Sequence, residues 1–344
     1  MPARNPASAA HLVPVLVVNA GSTTLKLSIV SGEAESRSIE SFEEAHDISA
    51  VAHRIVHGGS RFRAPVVLDE AVQRELEAVS ELAPLHNAPA LAAASRARAA
   101  VPDVPHVAVF DTAFHATMTP EATTYALPPR WRDEWGIRRY GFHGLSVAWA
   151  AGRVPVPRLV VCHLGGGCSV TAVRHGRSVD TTMGFTPLEG VPMATRSGSV
   201  DPGAILYVLR KGLLTLEELE QDLEHESGLR GLGGTHRVDN LEGTLARAVY
   251  AHRIAGAVAQ MAASAGGLDA LVFTAGVGER SPSVRHEICQ RLGLLGIELD
   301  PDANAAAQPD ARISAEGSAV RVHVIHARED VVAARAARSL LYGE

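Results

Sequence analysis

The residues best suited to chemistry lie between Leu159 and Gly203. The stretch opens with the apolar run Leu159–Val160–Val161, turns at Gly165–Gly166–Gly167 and returns through Ser169–Val173. This pattern predicts a β-hairpin with a glycine tip, whose backbone can approach an anion closely and offer it N–H groups. The loop beyond carries Asp180, Thr181, Thr182, Thr195, Arg196 and Ser197. Glycine N–H groups, hydroxyls and a forked guanidinium are common means of holding a phosphate. Two more segments share this grammar. Val15–Val30 is an apolar run, a polar tip from Asn19 to Thr24, and another apolar run; Ala270–Ser281 reads as strand, glycine turn and helix. One glycine tip alone is usually a solvated turn. Three strand ends of this kind in one chain argue for phosphate binding.

Other predicted strand ends supply charge. His53–Gly59 (HRIVHGG) carries Arg54 and His57, and the buried-type strand Val107–Phe110 runs into Asp111–His115. Ligands of open α/β sheets collect just past such carboxyl ends. The segment RRYGFHG brings Arg138, Arg139 and His143, and the last strand, Val322–Ile325, precedes Glu329 and Asp330. Arginines and backbone donors to neutralise charge, with acids to hold Mg²⁺, are the requirements of phosphoryl transfer. No H-E-x-x-H or other close metal-ligand spacing occurs, so histidines are not expected to bind zinc. His53, His106 and His225 are expected to be structural.

The elements that must position these groups follow from periodicity. Helices are expected over Asp69–Leu82 (apolar Val72, Leu76 and Val79), Leu214–Glu226, Asp239–Ala263 and from Ser281–Pro282 to Leu292. The first of these runs into Ala83–Pro89, where two prolines bound a His–Asn pair, His86–Asn87. The 344 residues suit two domains, with one hairpin-led half starting near Val15 and another near Leu159. They imply an α/β fold of duplicated domains facing each other over a cleft. A formal charge of −6 argues against a nucleic-acid partner, and 46% hydrophobic residues with only 4% aromatics fit aliphatic strands and alanine-rich helices. No apolar run is long enough for a membrane span. Residues 1–14 lack an apolar signal core and are expected to be a frayed tail. The three cysteines, Cys162, Cys168 and Cys289, lack paired spacing, which argues for free thiols and a cytoplasmic location.

The motifs, taken together, resemble acetate kinases, the short-chain carboxylate kinase family of the actin-like ATPase superfamily. NAGSTTLK, HRIVHGG, LAPLHNAP, VFDTAFHATM, RRYGFHG, HLGGGCSVTAV, MGFTPLEG, ATRSG, VFTAGVGE and EDVVAAR occur in the family's order along nearly the whole chain. RRYGFHG and MGFTPLEG are very specific, whereas GVGE alone is weak. The resemblance implies two ribonuclease H-like, actin-like domains, 1–112 with the helix 331–344, and 113–330. It implies reversible, Mg²⁺-dependent (or Mn²⁺-dependent) transfer of the γ-phosphoryl group of ATP to acetate or propionate, giving acyl phosphate and ADP, in a homodimer. In this reading Arg54, Asp111, His143 and Arg196 are catalytic. Val56, Leu85, His86, Phe142 and Pro187 hold the carboxylate substrate. Asn19, Ser22, Thr24, Lys26, His163, Gly165, Gly167, Gly276 and Gly278 bind nucleotide and phosphates, and Asn19 and Glu329 attend the metal.

The chain also departs from the family. HLGGG places Gly166 where the family has asparagine, GVGER places Arg280 where it has another asparagine, and Gly231–Asn240 lacks the family's aligned acid. Acceptor chemistry is therefore better supported than donor identity, and another nucleoside triphosphate or pyrophosphate is the alternative donor. Two rivals remain. A dinucleotide oxidoreductase could use Gly276–Ser281 with Glu298, but Ser281 replaces the third glycine and two phosphate-style turns are left unused. A non-catalytic relative binding a phosphorylated metabolite would have no need of intact Arg54, Asp111, His143, Arg196 and Glu329.

Overall fold

Six strands build the first sheet: β1 (Val15–Ala20), β2 (Leu25–Val30), β3 (Ser36–Ile39), β4 (Ala50–Ile55), β5 (Val66–Val67) and β6 (His106–Phe110), in the order β3-β2-β1-β4-β6-β5. β1 to β3 form an antiparallel meander, β4 and β6 add in parallel, and β5 closes the edge antiparallel. The second sheet holds β7 (Arg158–Leu164), β8 (Cys168–Arg174), β9 (Arg177–Thr181), β10 (Ala270–Thr274), β11 (Ala311–Arg312) and β12 (Arg321–Val324). Its order, β11-β12-β10-β7-β8-β9, and its strand directions repeat the first sheet strand for strand. This is the duplicated α/β domain expected from the two hairpin-led halves. The computed structural model describes residues 13–21, 25–79 and 84–343, and for residues 79 and 84–86 the backbone alone. The expected tail up to residue 12, the hydroxyls of Ser22, Thr23 and Thr24, the helix end at Leu82 and the side chains of Leu85 and His86 lie outside the described residues.

The chain divides into two compact units. One takes the chain up to Gly58, Ala64–Phe110 and the segment from Glu329; the other takes Gly59–Arg63 and Asp111–Arg328. In the first, the helices Pro84–Ala100 and Glu329–Tyr342 pack on β1 and β4. Arg338, 1% exposed, ties the second of these to the sheet by donating to the carbonyls of Val30 (2.7 Å) and Val13 (2.8 Å). A buried guanidinium is tolerable only when acceptors such as these carbonyls take its N–H groups. In the second unit, Leu245–Ala265 covers β7 and β8, and Gly144–Arg153 packs on β7 and β10. Strands β1, β7 and β8 are buried on both faces, as aliphatic strands between helices should be, whereas β2 starts exposed at Leu25 and Lys26.

The proline-bounded stretch is helical from Pro84, and three local expectations elsewhere need correction. Pro84 has no N–H to lose at a first helical position, and its helix carries Pro89 at the cost of one backbone bond. The third turn is not made by glycine. Ala275 takes the left-handed backbone (φ 65°) at the end of β10, and Gly276 and Gly278 lie inside the short helix Ala275–Arg280. The long helix over Asp239–Ala263 is broken at Gly243 (φ 74°), where Thr244 starts Leu245–Ala265 by accepting from the Arg247 N–H at 3.4 Å. Ser281 sits at the N-cap of Pro282–Gln290 but does not cap it; its hydroxyl donates to Asp239 Oδ1 at 2.6 Å instead.

Candidate active site

In the first unit the parallel register sets Asn19 beside Arg54, while Lys26 pairs with Asn19 across the hairpin and is exposed. Arg54 NH1 donates to Asn19 Oδ1 at 3.0 Å, and Asn19 Nδ2 donates to Glu329 Oε2 at 3.2 Å. Arg54 Nε lies 3.7 Å from the same carboxylate oxygen, with both side chains about one-sixth exposed. Three residues far apart in sequence are thus one polar cluster at the carboxyl ends of β1 and β4. Glu329 reaches it from the first turn of its helix, where an acid is also favoured by the helix dipole. Val56, one residue past β4, is buried. The chain leaving it is held by Asn87, which is fully buried and accepts from the His57 N–H and donates to its carbonyl, both at 2.9 Å.

In the second unit Leu164 and Cys168 are the last pair of the β7–β8 hairpin, and the Gly165 N–H closes the tip on the Gly167 carbonyl at 3.0 Å. His163, near the end of β7, has Nδ1 2.8 Å from Ser146 Oγ. His143 stands at the start of Gly144–Arg153 in left-handed backbone (φ 60°). The Gly144 N–H bonds the Asp111 carbonyl at 3.0 Å, and a Cβ at Gly144 would collide with that carbonyl. The glycine therefore lets the helix start close against buried Asp111.

The His143 ring stacks on His163, centroids 4.0 Å apart and planes 16° from parallel, and its Nδ1 lies 3.0 Å from Ser169 Oγ. Its other nitrogen faces the glycine tip: a Cβ at Gly167 would sit 3.2 Å from His143 Nε2 and 3.5 Å from Arg196 NH1. Arg196 is held by Glu224, whose Oε2 is 3.1 Å from Nε, and by the Pro187 carbonyl at 3.3 Å from NH1. Phe142 is buried, and its carbonyl accepts from His115 Nε2 at 2.9 Å. Burial pulls the His115 pKa down to about 4, so the ring is a neutral strut. The tip of β7–β8 also touches the third motif, because a Cβ at Gly165 would be 3.6 Å from Ala275 Cβ. Gly276 lies under the Arg280 guanidinium, whereas Gly278 serves close packing on the backbones of Phe273 and Cys162.

The structure therefore gathers the candidate residues into two clusters: Asn19, Arg54 and Glu329, and His143, His163, Gly165, Gly167, Pro187 and Arg196. Glu224, Ser169, Ser146 and Asn87 join them without having been singled out. Glu224 carries no local signal, being one acid of the acidic helix Leu216–His225. His53 and His106 are apart from both clusters, bonded to each other at 2.8 Å. Burial, then His106 and Arg98, pull His53 down to about 3.

Among the described residues no group of three His, Cys, Asp or Glu could hold a metal. Glu329 with the Asn19 carboxamide is a set of hard oxygen donors. It fits a divalent cation that takes its remaining ligands from phosphates and water, and does not fit zinc.

Comparison with known proteins agrees with this geometry. The profile of the Acetokinase family matches residues 37–335. The chain is 45% identical over 307 residues to the acetate kinase of Protochlamydia amoebophila, covering 85% of this chain and 78% of that one. It is 46% identical over 319 residues to the acetate kinase of Synechococcus sp. (strain JA-2-3B'a(2-13)), covering 88% and 79%. Among solved structures, a propionate kinase from Francisella tularensis superposes with TM-score 0.85 at 30% identity over 94% of this chain and 98% of that one. The Porphyromonas gingivalis acetate kinase gives 0.84 at 30% over 96% and 100%. With the duplicated sheets, the glycine-tipped hairpin and the arginine-centred clusters in place, these matches assign the chain to one enzyme family: it belongs to the acetokinase family.

Proposed function

We propose that the protein is an acetate kinase that reversibly moves the γ-phosphoryl group of ATP to acetate or propionate with Mg²⁺, or Mn²⁺ in its place. The observation that carries this is the approach of His143 Nε2 and Arg196 NH1 to the Gly167 tip. Two hydrogen-bond donors and a hairpin backbone suit an oxyanion that gains charge during transfer. A carboxylate oxygen attacks the γ-phosphorus, the bond to the β-phosphate oxygen breaks, and ADP leaves with the electron pair. The nucleophile, with a pKa near ~4–5, is already ionised at neutral pH, so no general base is required. His143 then acts as a donor. For a neutral ring to donate through Nε2, Nδ1 must accept, and the buried Ser169 hydroxyl can donate to it.

Arg196 supplies fixed positive charge, oriented by Glu224 and the Pro187 carbonyl. In the first unit Arg54 plays the matching part, and Asn19 and Glu329 would hold the cation. When bound, the cation neutralises phosphate charge and orients the transferring group. Phe142 and Pro187, both buried in the second unit, are the candidates for the methyl-binding surface. An exposed apolar face with Leu206 and Tyr207 on Pro202–Arg210, continuing to Leu213 and Leu216, supports a homodimer. Trapping acyl phosphate as hydroxamate tests the activity, with acetate omitted, ATP omitted or the divalent cation chelated in turn. Hydroxamate that does not depend on acetate and ATP together would refute the function.

A further inference from the structure

Arg139 makes more polar contacts than any role in the scheme above calls for. Its NH1 lies within 3.1 Å of three successive carbonyls, those of Thr181, Thr182 and Met183. Its NH2 donates to Glu189 Oε1 at 2.8 Å. The other Glu189 oxygen accepts from the Tyr125 hydroxyl, which in turn accepts from the Phe185 N–H at 3.0 Å. The Arg139 guanidinium also lies over the Tyr125 ring, 5.6 Å from its centroid. Burial and the neighbouring Glu189 carboxylate raise the Tyr125 pKa, so the phenol remains a donor.

One guanidinium thus grips both ends of a single loop, Thr181–Met183 at its start and Glu189 at its finish. Pro187 lies between the two pins, and its carbonyl is what Arg196 NH1 meets. The packing leaves no slack in the loop. A Cβ at Gly184 would fall on the Glu189 carboxylate and the Tyr125 hydroxyl, and Gly190 needs left-handed backbone (φ 117°) to turn away. Lysine could satisfy one pin or the other but not both, because only the planar fork presents donors in two directions at once.

We propose that Arg139, Glu189 and Tyr125 form a clamp that positions Pro187 and, through its carbonyl, the Arg196 guanidinium for the carboxylate substrate. They are positioning residues, and the proposal rests on the kinase function above. Steady-state hydroxamate kinetics on full-length Arg139→Lys and Tyr125→Phe test it. A loosened loop raises KM for acetate by about tenfold in Arg139→Lys, and by less in Tyr125→Phe, while KM for ATP stays within about twofold of wild type. Equal changes in both KM values, or none in acetate KM, overturn the proposal. Should Arg139→Lys not fold, an unchanged acetate KM in Tyr125→Phe overturns it alone. A wild-type enzyme that makes no acyl phosphate would refute the kinase reading. The clamp is then judged by hydrogen exchange, with loop amides between residues 182 and 189 exchanging about tenfold faster in the variants and unchanged exchange refuting it.

Discussion

Gly167→Ala is the sharpest probe of the second cluster, because its effect can be worked from distances. The new methyl would sit 3.2 Å from His143 Nε2, 3.3 Å from Cε1 and 3.5 Å from Arg196 NH1. Arg196 is already at ordinary contact distance, so it is the His143 ring that must retreat, by a few tenths of an ångström. His143 has little room, stacked on His163 at 4.0 Å and bonded to Ser169 at 3.0 Å. A misplacement of about 1 Å costs on the order of 10²-fold in rate, so a shift of a few tenths should cost roughly tenfold in kcat, or ~1.4 kcal/mol. Stability should change little, since Gly167 is not among the residues in left-handed backbone. Gly166→Ala is the internal control: its Cβ would meet nothing within 4 Å. Hydroxamate kinetics and thermal melts on both variants decide the matter. Full activity in Gly167→Ala, or an equal loss in Gly166→Ala, would refute the placement of His143 and Arg196 at the tip.

His143→Gln keeps a donor and should retain clearly more activity than His143→Ala; equal losses would exclude a hydrogen-bonding role. The nucleoside contacts altered at Gly166, Gly231–Asn240 and Arg280 should leave ATP, GTP and ITP within about tenfold of one another in kcat/KM. A hundredfold preference for ATP, measured with each donor at saturating acetate, would show that the chain compensates for those changes. Stability should fall in mild acid. His53 and His115 are held neutral down to about 3 and about 4, so below their ordinary value of 6.5 the unfolded chain binds protons that the folded chain does not. Between pH 7 and 5 each should remove about 2 kcal/mol, seen as a lower urea midpoint, with a smaller drop in His115→Gln. A pH-independent midpoint in the wild type would contradict their burial.

Local pattern was enough to place the secondary structure that carries the motifs. Apolar runs either side of a polar or glycine tip specified both hairpins, and the Thr215–Glu218 capping box begins the acidic helix close to its expected start. The repeat of hairpin-led halves pointed to duplicated domains, and the two sheets share one strand order. Where two local rules compete, sequence reasoning faltered. Pro84 and Pro89 are helix-breaking residues by type, yet a helix tolerates the first without loss and the second at the cost of one bond. Ala275 turns in left-handed backbone that alanine rarely adopts, a strain only the surrounding packing can sustain. The partners of the chemically active side chains were decided by the tertiary structure alone. Nothing near Arg196 in sequence predicts that Glu224 will orient it, nor does anything near Glu329 predict Asn19, which precedes it by 310 positions. Hydrogen bonds and ion pairs act over about 3–4 Å in space whatever the separation along the chain. Sequence periodicity reports which face of an element is buried, but strand register and helix docking determine which polar groups meet.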